Sequence, residues 1–391
     1  RFQGDRFAAI RNIFEMFNNN CSKALQPNEY LTIDETLYGC RNQVSFRQYN
    51  ASKPEKYGIL FKSINSVDFA YTHRAVVYSG KPVGDPGPYY VPGIIPIVQR
   101  IVSDLMTYVD LGGRNISMDR LYTSIELAQW LLERNITVVG TLMANKKGIP
   151  AAVKSVEGRE NYSYQVYWET ENMKLTLHSY VARTKSKGMK NVLVLSSVPP
   201  ILGITKDDGK CKPAVIKLYD FSKGGTDIVD QRIGSYSVNT KSRKWTLAVL
   251  AYMLDTARIN SQTIFALNNE LEPRKTSSFK FGWHIVNALV TPHLHIRKQN
   301  IHLQKSILNK IVSILNEPET TAENASEEQY EKVSEKRARC SVCLKNAYGK
   351  DFDMKKQSIP KVQIRCTKCG KPTCKPHIAV QRCTTCDSIE N

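Results

Sequence analysis

The chain has no run of about 18 apolar residues, so nothing in it reads as a membrane-spanning helix. Its richest apolar stretch, around Leu247 to Leu254, is broken by polar residues at helical spacing. No signal-peptide pattern opens it: the chain begins at Arg1, without Met, and reads straight into an amphipathic helix, as a chain truncated at its start would. Cysteine is scarce before Cys340, with Cys21, Cys40 and Cys211 alone, and no export signal favours a disulfide framework. Acid is short too. Asp plus Glu total 36 against 55 Lys plus Arg, a formal charge of +19, which points to a polyanionic partner, nucleic acid ahead of membrane. No internal repeat is found. A length of 391 residues exceeds what one core organises, so two to four compact units are expected.

Alternation of period and turn residues predicts mixed α/β structure. Residues 1 to 25 read as a helix with Phe7, Ile10, Phe14 and Phe17 on one stripe, followed by a strand, Tyr30 to Asp34. Strands are expected at Gly58 to Ser63, Ala75 to Ser79, Asn115 to Asp119 and Thr137 to Leu142, and helices at Val98 to Leu111 and Thr123 to Glu133. Between about 150 and 215 the pattern is β-rich and polar, with strand signals at Tyr164 to Trp168, Leu175 to Leu177 and Asn191 to Leu195. Gly224-Gly225 opens a helix near Thr226. A long amphipathic helix, Trp245 to Asn268, carries Trp245, Val249, Tyr252, Thr256 and Ile259 along one stripe, and more helix follows to about Ile314. Residues 316 to 335 are acidic and poor in large apolar side chains, as a flexible linker is.

Asp34 falls on a strand, Asp119 at a strand end and Asp227 at a helix start. Spacing alone does not bring them together, and any one of them serves equally as a strand-end or cap residue. If the strands are neighbours, three carboxylates can hold two magnesium ions about 4 Å apart, which polarise the attacking and leaving oxygens of a phosphodiester.

Five ordered blocks carry a resemblance: YLTIDETLYGCRN (30–42), KPEKYGILF (53–61), ISMDRLYTSIELAQWLL (116–132), VVGTLMANKKGIP (138–150) and KGGTDIVDQ (223–231). Together they resemble the piggyBac DNA transposases, over about Phe7 to Ser261 and again through the C-terminal cysteines. The resemblance implies an α/β fold with a ribonuclease-H-like catalytic core, at 29–150 and 213–236, interrupted by an inserted β-rich domain at 151–212. A helical dimerisation and DNA-binding domain would be built from 1–28 and 237–315, an acidic linker would span 316–338, and a cysteine-rich double-zinc domain 339–391. Asp34, Asp119 and Asp227 stand where the family has its three metal-binding Asp, and Asp230, three residues on and hence on the same helical face, matches a further acid. Arg120 stands where the best-known member has Asn, and Met143 replaces a basic residue.

The implied activity is cut-and-paste transposition with Mg, or Mn as substitute: hydrolysis at transposon terminal repeats, hairpin formation by the freed 3′ hydroxyl, and joining at TTAA targets. Implied partners are double-stranded DNA and a second copy of the chain, as a homodimer, with no membrane and no small-molecule substrate. Nuclear work is implied as well, and Lys336-Arg337-x-Arg339 is a short candidate import signal. A domesticated host protein that keeps the fold as a DNA-binding or DNA-excision factor is the alternative.

Two basic groups are candidate phosphate contacts, Lys146 with Lys147 and Lys241 with Arg243 and Lys244, against the plain reading of solvated loops. Trp245 either stacks on an unpaired base or opens a core stripe. The C-terminal pairs Cys340-x2-Cys343, Cys366-x2-Cys369, Cys374-x2-His377 and Cys383-x2-Cys386 supply eight ligands for two zinc ions. Their closeness suits a cross-brace, with Cys340, Cys343, Cys374 and His377 on one ion and the other four on the second; pairing in sequence order is the alternative. Zinc serves there for stability alone or for DNA recognition as well. The ligand order, with His sixth, differs from RING order, which leaves a RING-like interaction module as a minor reading.

Overall fold

The computed structural model describes residues 5–80, 97–170, 173–184, 188–199, 204–205, 211–316, 338–346, 359, 361–363, 365, 371–374, 377–379 and 382–383. They divide into two compact units, Arg1–Leu289 and Val290–Asn391.

The first unit begins with α1 (Ala8–Ala24), then β1 (Tyr30–Gly39), β2 (Gln48–Tyr49), β3 (Tyr57–Ser66), β4 (Thr72–Val77) and α2 (Ile97–Met106). After these come β5 (Asn115–Met118), α3 (Ile125–Leu132), β6 (Thr137–Thr141), α4 (Ala151–Lys154), β7 (Tyr164–Trp168), β8 (Thr176–Thr184) and β9 (Gly188–Ser196). The rest runs β10 (Ile204–Thr205), β11 (Lys212–Pro213), α5 (Ala214–Ser222), α6 (Gly225–Ser235) and α7 (Trp245–Asn268); α8 (Ser278–Lys298) runs past the division at Leu289, and α9 (Lys305–Asn316) belongs to the second unit. A sheet of nine strands, in the order β2-β3-β1-β5-β6-β9-β8-β7 with β4 paired to β3, organises this unit.

Strand β1 lies at the centre and is buried on both faces, which is why it lacks a clean polar alternation. Leu31 and Ile33 join Ile64, Val102, Leu105 and Leu131 under α2 and α3. On the other face Tyr38 joins Phe61, Phe7, Phe14, Val249 and Tyr252 under α1, α6 and α7. Phe61 and Tyr252 stack there at 3.7 Å between ring centroids. The apolar stripes of α1 and α7 predicted from helical spacing are thus the ones that cover the sheet.

The segment expected as an inserted β-rich domain, 151–212, holds β7, β8 and β9, which join the main sheet where β9 pairs antiparallel with β6 through Gly140↔Leu195. Helix α5 and the two-residue strand β2 carry too little periodic signal to have been expected. Among the described residues no helix is long and apolar enough to cross a membrane.

In the second unit β12 (Ala338–Arg339), α10 (Ser341–Asn346), β13 (Lys361–Val362), β14 (Ile378–Ala379) and β15 (Arg382–Cys383) are all short. Its buried cluster is small, with Cys340, Val342, Ile359 and Cys374 at the centre. The proposed linker falls almost wholly outside the described residues, as do Cys366, Cys369, Cys386 and the side chain of Cys383.

Candidate active site and candidate metal centre

Register decides the first two acids. β1 and β5 run parallel with Ile33 opposite Met118, so the next residue along each strand is an aspartate, Asp34 and Asp119. The chain leaves β5 in a turn that the Asp119 carboxylate itself closes, with Oδ1 accepting from the backbone N–H of Leu121 at 2.8 Å. Only glycine fits beside that turn: a Cβ on Gly140 would meet Thr123 Oγ1 at 2.2 Å and the Met118 carbonyl at 2.8 Å.

Helix α6 brings the other two. Its N-terminus lies flat on β1 because residue 225 has no side chain; a Cβ there would stand 2.6 Å from Thr32 Cγ2 and 3.0 Å from the Ser66 carbonyl. Asn65 Nδ2 donates to Thr226 Oγ1 at 2.8 Å, and Thr32 Oγ1 to the Lys223 carbonyl at 3.4 Å. Thr36 then donates to Asp230 Oδ1 at 2.6 Å, and Lys53 Nζ stands 4.0 Å from Asp230 Oδ2. Asp227 is exposed in the first turn of α6.

These acids feel one another. Burial pushes the Asp34 carboxyl up to about 6, and the negative charges of Asp119 and Asp227 add to the shift while Lys53 opposes it. Burial likewise raises Asp230 to about 6, with Asp227 and Asp34 adding and the Thr36 hydroxyl and Lys53 opposing. A set of hard carboxylate oxygens whose charges repel is the donor chemistry that a small divalent cation such as Mg or Mn relieves, though among the described residues these acids do not gather as closely as the Cys/His set below.

In the second unit, ligand atoms of Cys340, Cys343, Cys374 and His377 all lie within 4.8 Å of one another. Cys343 Sγ is 3.7 Å from Cys374 Sγ, and His377 Nδ1 is 3.2 Å from Cys374 Sγ, 3.4 Å from Cys343 Sγ and 3.8 Å from Cys340 Sγ. A tetrahedral site with bonds of about 2.3 Å to sulfur has edges of about 3.8 Å, so the four fit a zinc ion. The first and third ligand pairs meet, as a cross-brace requires of its first ion. Burial disfavours the Cys340 thiolate, but N–H groups of Cys343 and Cys374 and the His377 side chain bring it below the ordinary thiol range.

Residues 1–262 match the family described as Transposase IS4. The chain belongs to that transposase family. Its piggyBac character comes from a solved piggyBac transposase synaptic complex with hairpin DNA: 29% identity and a TM-score of 0.71, over 98% of this chain and 74% of that one. The human PiggyBac transposable element-derived protein 3 is 20% identical over 303 residues, 74% of this chain and 49% of that protein. Human PiggyBac transposable element-derived protein 2 is 21% identical over 283 residues, 66% of this chain and 44% of that protein. The chain thus spans about half the length of these human relatives.

Around the piggyBac-like acids the basic candidates separate. Lys146 follows β6 and reaches toward the Asp119 turn, its Nζ 3.5 Å from the Leu121 carbonyl, while Lys147 is exposed. Lys241, Arg243 and Lys244 are exposed in the α6–α7 connection. That connection is pinned by Asn42, which donates to the Ser242 carbonyl at 2.7 Å, and by buried Asp255, which accepts from Val238 N–H at 2.9 Å and Tyr38 OH at 2.7 Å. Trp245 goes to the core. Its ring packs against Phe46 at 5.2 Å and Phe7 at 6.0 Å, so of its two readings the structure takes the apolar stripe, and it stands apart from the other DNA-binding candidates.

Sequence reasoning missed three residues beside the acids. Lys53 donates to the Glu35 carbonyl at 2.8 Å, Lys62 stands 3.8 Å from Glu35 Oε1, and the Tyr122 hydroxyl donates to the same oxygen at 3.2 Å. Lys62 is the cross-strand partner of Glu35, a pairing visible only once the β1–β3 register is known.

Proposed function

We propose that the chain is a cut-and-paste DNA transposase that cleaves and rejoins phosphodiesters in double-stranded DNA. The single observation that carries this reading is the placement of Asp34 and Asp119 just past the paired residues Ile33 and Met118 of parallel β1 and β5, with Asp227 in the first turn of α6 seated on β1 through Gly225, in a transposase-family chain. Three antiparallel strands, β4, β3 and β1, followed by the parallel β5 and β6, with helices on both faces, support a ribonuclease-H-like core. Asp34, Asp119 and Asp227 would hold two Mg or Mn ions, which supply charge to the attacking and leaving oxygens. Asp230, fixed by Thr36 and Lys53, orients that set, and Lys146 with Lys147, and Lys241, Arg243 and Lys244, hold backbone phosphates.

The related structure contains hairpin DNA, which supports cleavage through hairpin ends; the reading extends to terminal-repeat ends and TTAA targets. Leu247, Leu250 and Leu254 expose an apolar row on α7, which supports a homodimer, and nuclear work follows from the DNA substrate. In the second unit Cys340, Cys343, Cys374 and His377 hold one zinc and Cys366, Cys369, Cys383 and Cys386 the other.

The test is Mn-dependent nicking of terminal-repeat DNA by the wild type and Asp119→Ala. Loss of a direct ligand lowers the rate more than about 100-fold, beyond the effect of removing an outer partner. Equal rates would end the assignment. A host protein derived from such an element is the second reading, favoured by the names of the human relatives; it retains DNA binding and loses joining at TTAA.

A further inference from the structure

The ladder that sets Asp34 beside Asp119 stops one residue short of both. β1 and β5 pair no further than Ile33 opposite Met118; beyond that point β1 continues along β3, while the chain leaving β5 turns away through Leu121 and Tyr122. Backbone pairing therefore leaves the gap between the two carboxylates to be set by other contacts. Among the described residues one hydrogen bond joins residues 35–39 of β1 to residues 120–123 of the turn. The buried Tyr122 hydroxyl donates to Glu35 Oε1 at 3.2 Å.

Successive residues of β1 face opposite ways, so Glu35 turns from the Asp34 side toward the core under α2 and α3, where Tyr122 is buried with Ile33, Met118 and Leu127. Glu35 is engaged through its main chain and its side chain. Its N–H donates to Asp34 Oδ1 at 2.8 Å, its carbonyl accepts from Lys53 Nζ at 2.8 Å, and its carboxylate stands 3.8 Å from Lys62 Nζ, on the residue opposite it in β3. Lys62 Nζ in turn lies over the Tyr122 ring, 5.3 Å from its centroid. Burial, then the Glu35 charge, keeps the Tyr122 phenol protonated, so it acts as a donor, and the charges of Asp34 and Asp119 reach it as well.

The contacts form one continuous path. It runs from the Asp34 carboxylate to the Glu35 N–H, from the Glu35 carboxylate to Tyr122, and through the turn to the Leu121 N–H that holds Asp119 Oδ1. A phenylalanine ring would fill the same core space without the hydroxyl, and a largely buried carboxylate–ammonium pair is a poor source of stability beside apolar packing. What the polar path supplies is a fixed relation between two segments that the ladder leaves unjoined.

We propose that Tyr122 and Glu35, with Lys62 balancing the Glu35 charge, are positioning residues: they hold the Asp119 turn against β1 and so set the gap between the Asp34 and Asp119 carboxylates for a divalent ion. This rests on the ion-binding part of the function proposed above and not on the DNA substrate.

The full chain is compared as wild type, Tyr122→Phe, Glu35→Ala, the double variant and Asp119→Ala. Melting is followed across an Mn series at neutral pH without DNA, and Mn-dependent nicking of the wild type is measured alongside. Mn is expected to raise the melting temperature of the wild type and not of Asp119→Ala. Tyr122→Phe is expected to need about 10-fold more Mn for the same shift, as loss of an outer partner of a metal ligand does, while its melting temperature without Mn changes little. Glu35→Ala is expected to need at least as much, and the double variant no more than Glu35→Ala, because two residues that act as one strut do not add. An unchanged Mn requirement in Tyr122→Phe overturns the proposal, whatever happens to melting without Mn, since the bond is then structural only. Additive effects in the double variant overturn it too. Tyr122→Phe decides alone should Glu35→Ala fail to fold. No Mn shift in the wild type, or an equal shift in Asp119→Ala, overturns the ion site and this proposal together. Nicking reports separately on the DNA-cleaving reading: if it is absent while the Mn requirements change as expected, that reading fails and the positioning role stands.

Discussion

The acid site and the Cys/His site are built in opposite ways. Asp34, Asp119 and Asp227 come from elements far apart in sequence, and each is set by packing that exists without any ion: a strand register, a turn closed at Gly140, a helix seated through Gly225. Cys340, Cys343, Cys374 and His377 come from short turns in a unit with a small buried cluster. In the first the fold gathers groups that repel one another. In the second, four ligand atoms lie close enough for one ion, and a bound ion would be part of what holds the unit. A site of the first kind is expected to outlast its ion, and one of the second kind is not.

Removing zinc breaks the comparison most directly. A strong chelator, or Cys374→Ala, is expected to abolish structure in the second unit, since structural zinc contributes about 10–16 kcal/mol in small domains. Hydrogen exchange then shows full exposure of amides around Cys340 to His377 while protection in β1, β3 and β5 is unchanged. Survival of the amide protection at Cys340 to His377 would place the stability of that unit in its apolar residues instead.

A smaller effect sharpens the other side. In Gly225→Ala the new Cβ meets Thr32 Cγ2 at 2.6 Å, so α6 must lift from β1, costing about 1–3 kcal/mol. Denaturant melts measure that loss. Mn-dependent nicking is expected to fall more steeply than stability, because Asp227 and Asp230 move with the helix.

The smallest effect is on pH. The Asp34 and Asp230 carboxyls are raised to about 6, so the ion-free folded state holds protons there between about pH 4 and 6 that the unfolded chain has released. Their contribution to stability is therefore greatest at low pH and is lost as pH rises through about 6. Divalent ions compete with those same protons. Stabilisation by Mn, measured as a melting shift, is expected to be full at pH 7.5 and to shrink toward zero by pH 5, with half the effect near pH 6. A shift that is flat across that range would mean that Mn binds elsewhere.

Periodicity made α1 and α7 readable, because an amphipathic helix writes its buried stripe in local order: Phe7, Ile10 and Phe14, and Val249, Tyr252 and Ile259, are buried as expected. Ligand spacing made the first and third Cys/His pairs readable in the same way. Trp245 stayed open between base stacking and core packing, since one residue type suits both and only Phe46 and Phe7 beside it distinguish them.

The sequence by itself determined which residue types were available: aspartates in ordered blocks, paired cysteines, an excess of base and too little apolar length for a membrane helix. Tertiary structure alone decided which of them meet. Strand register put Asp34 level with Asp119, and a missing Cβ let α6, with Asp227 in its first turn, pack against β1. Both depend on contacts between residues tens to hundreds of positions apart, which no local pattern records.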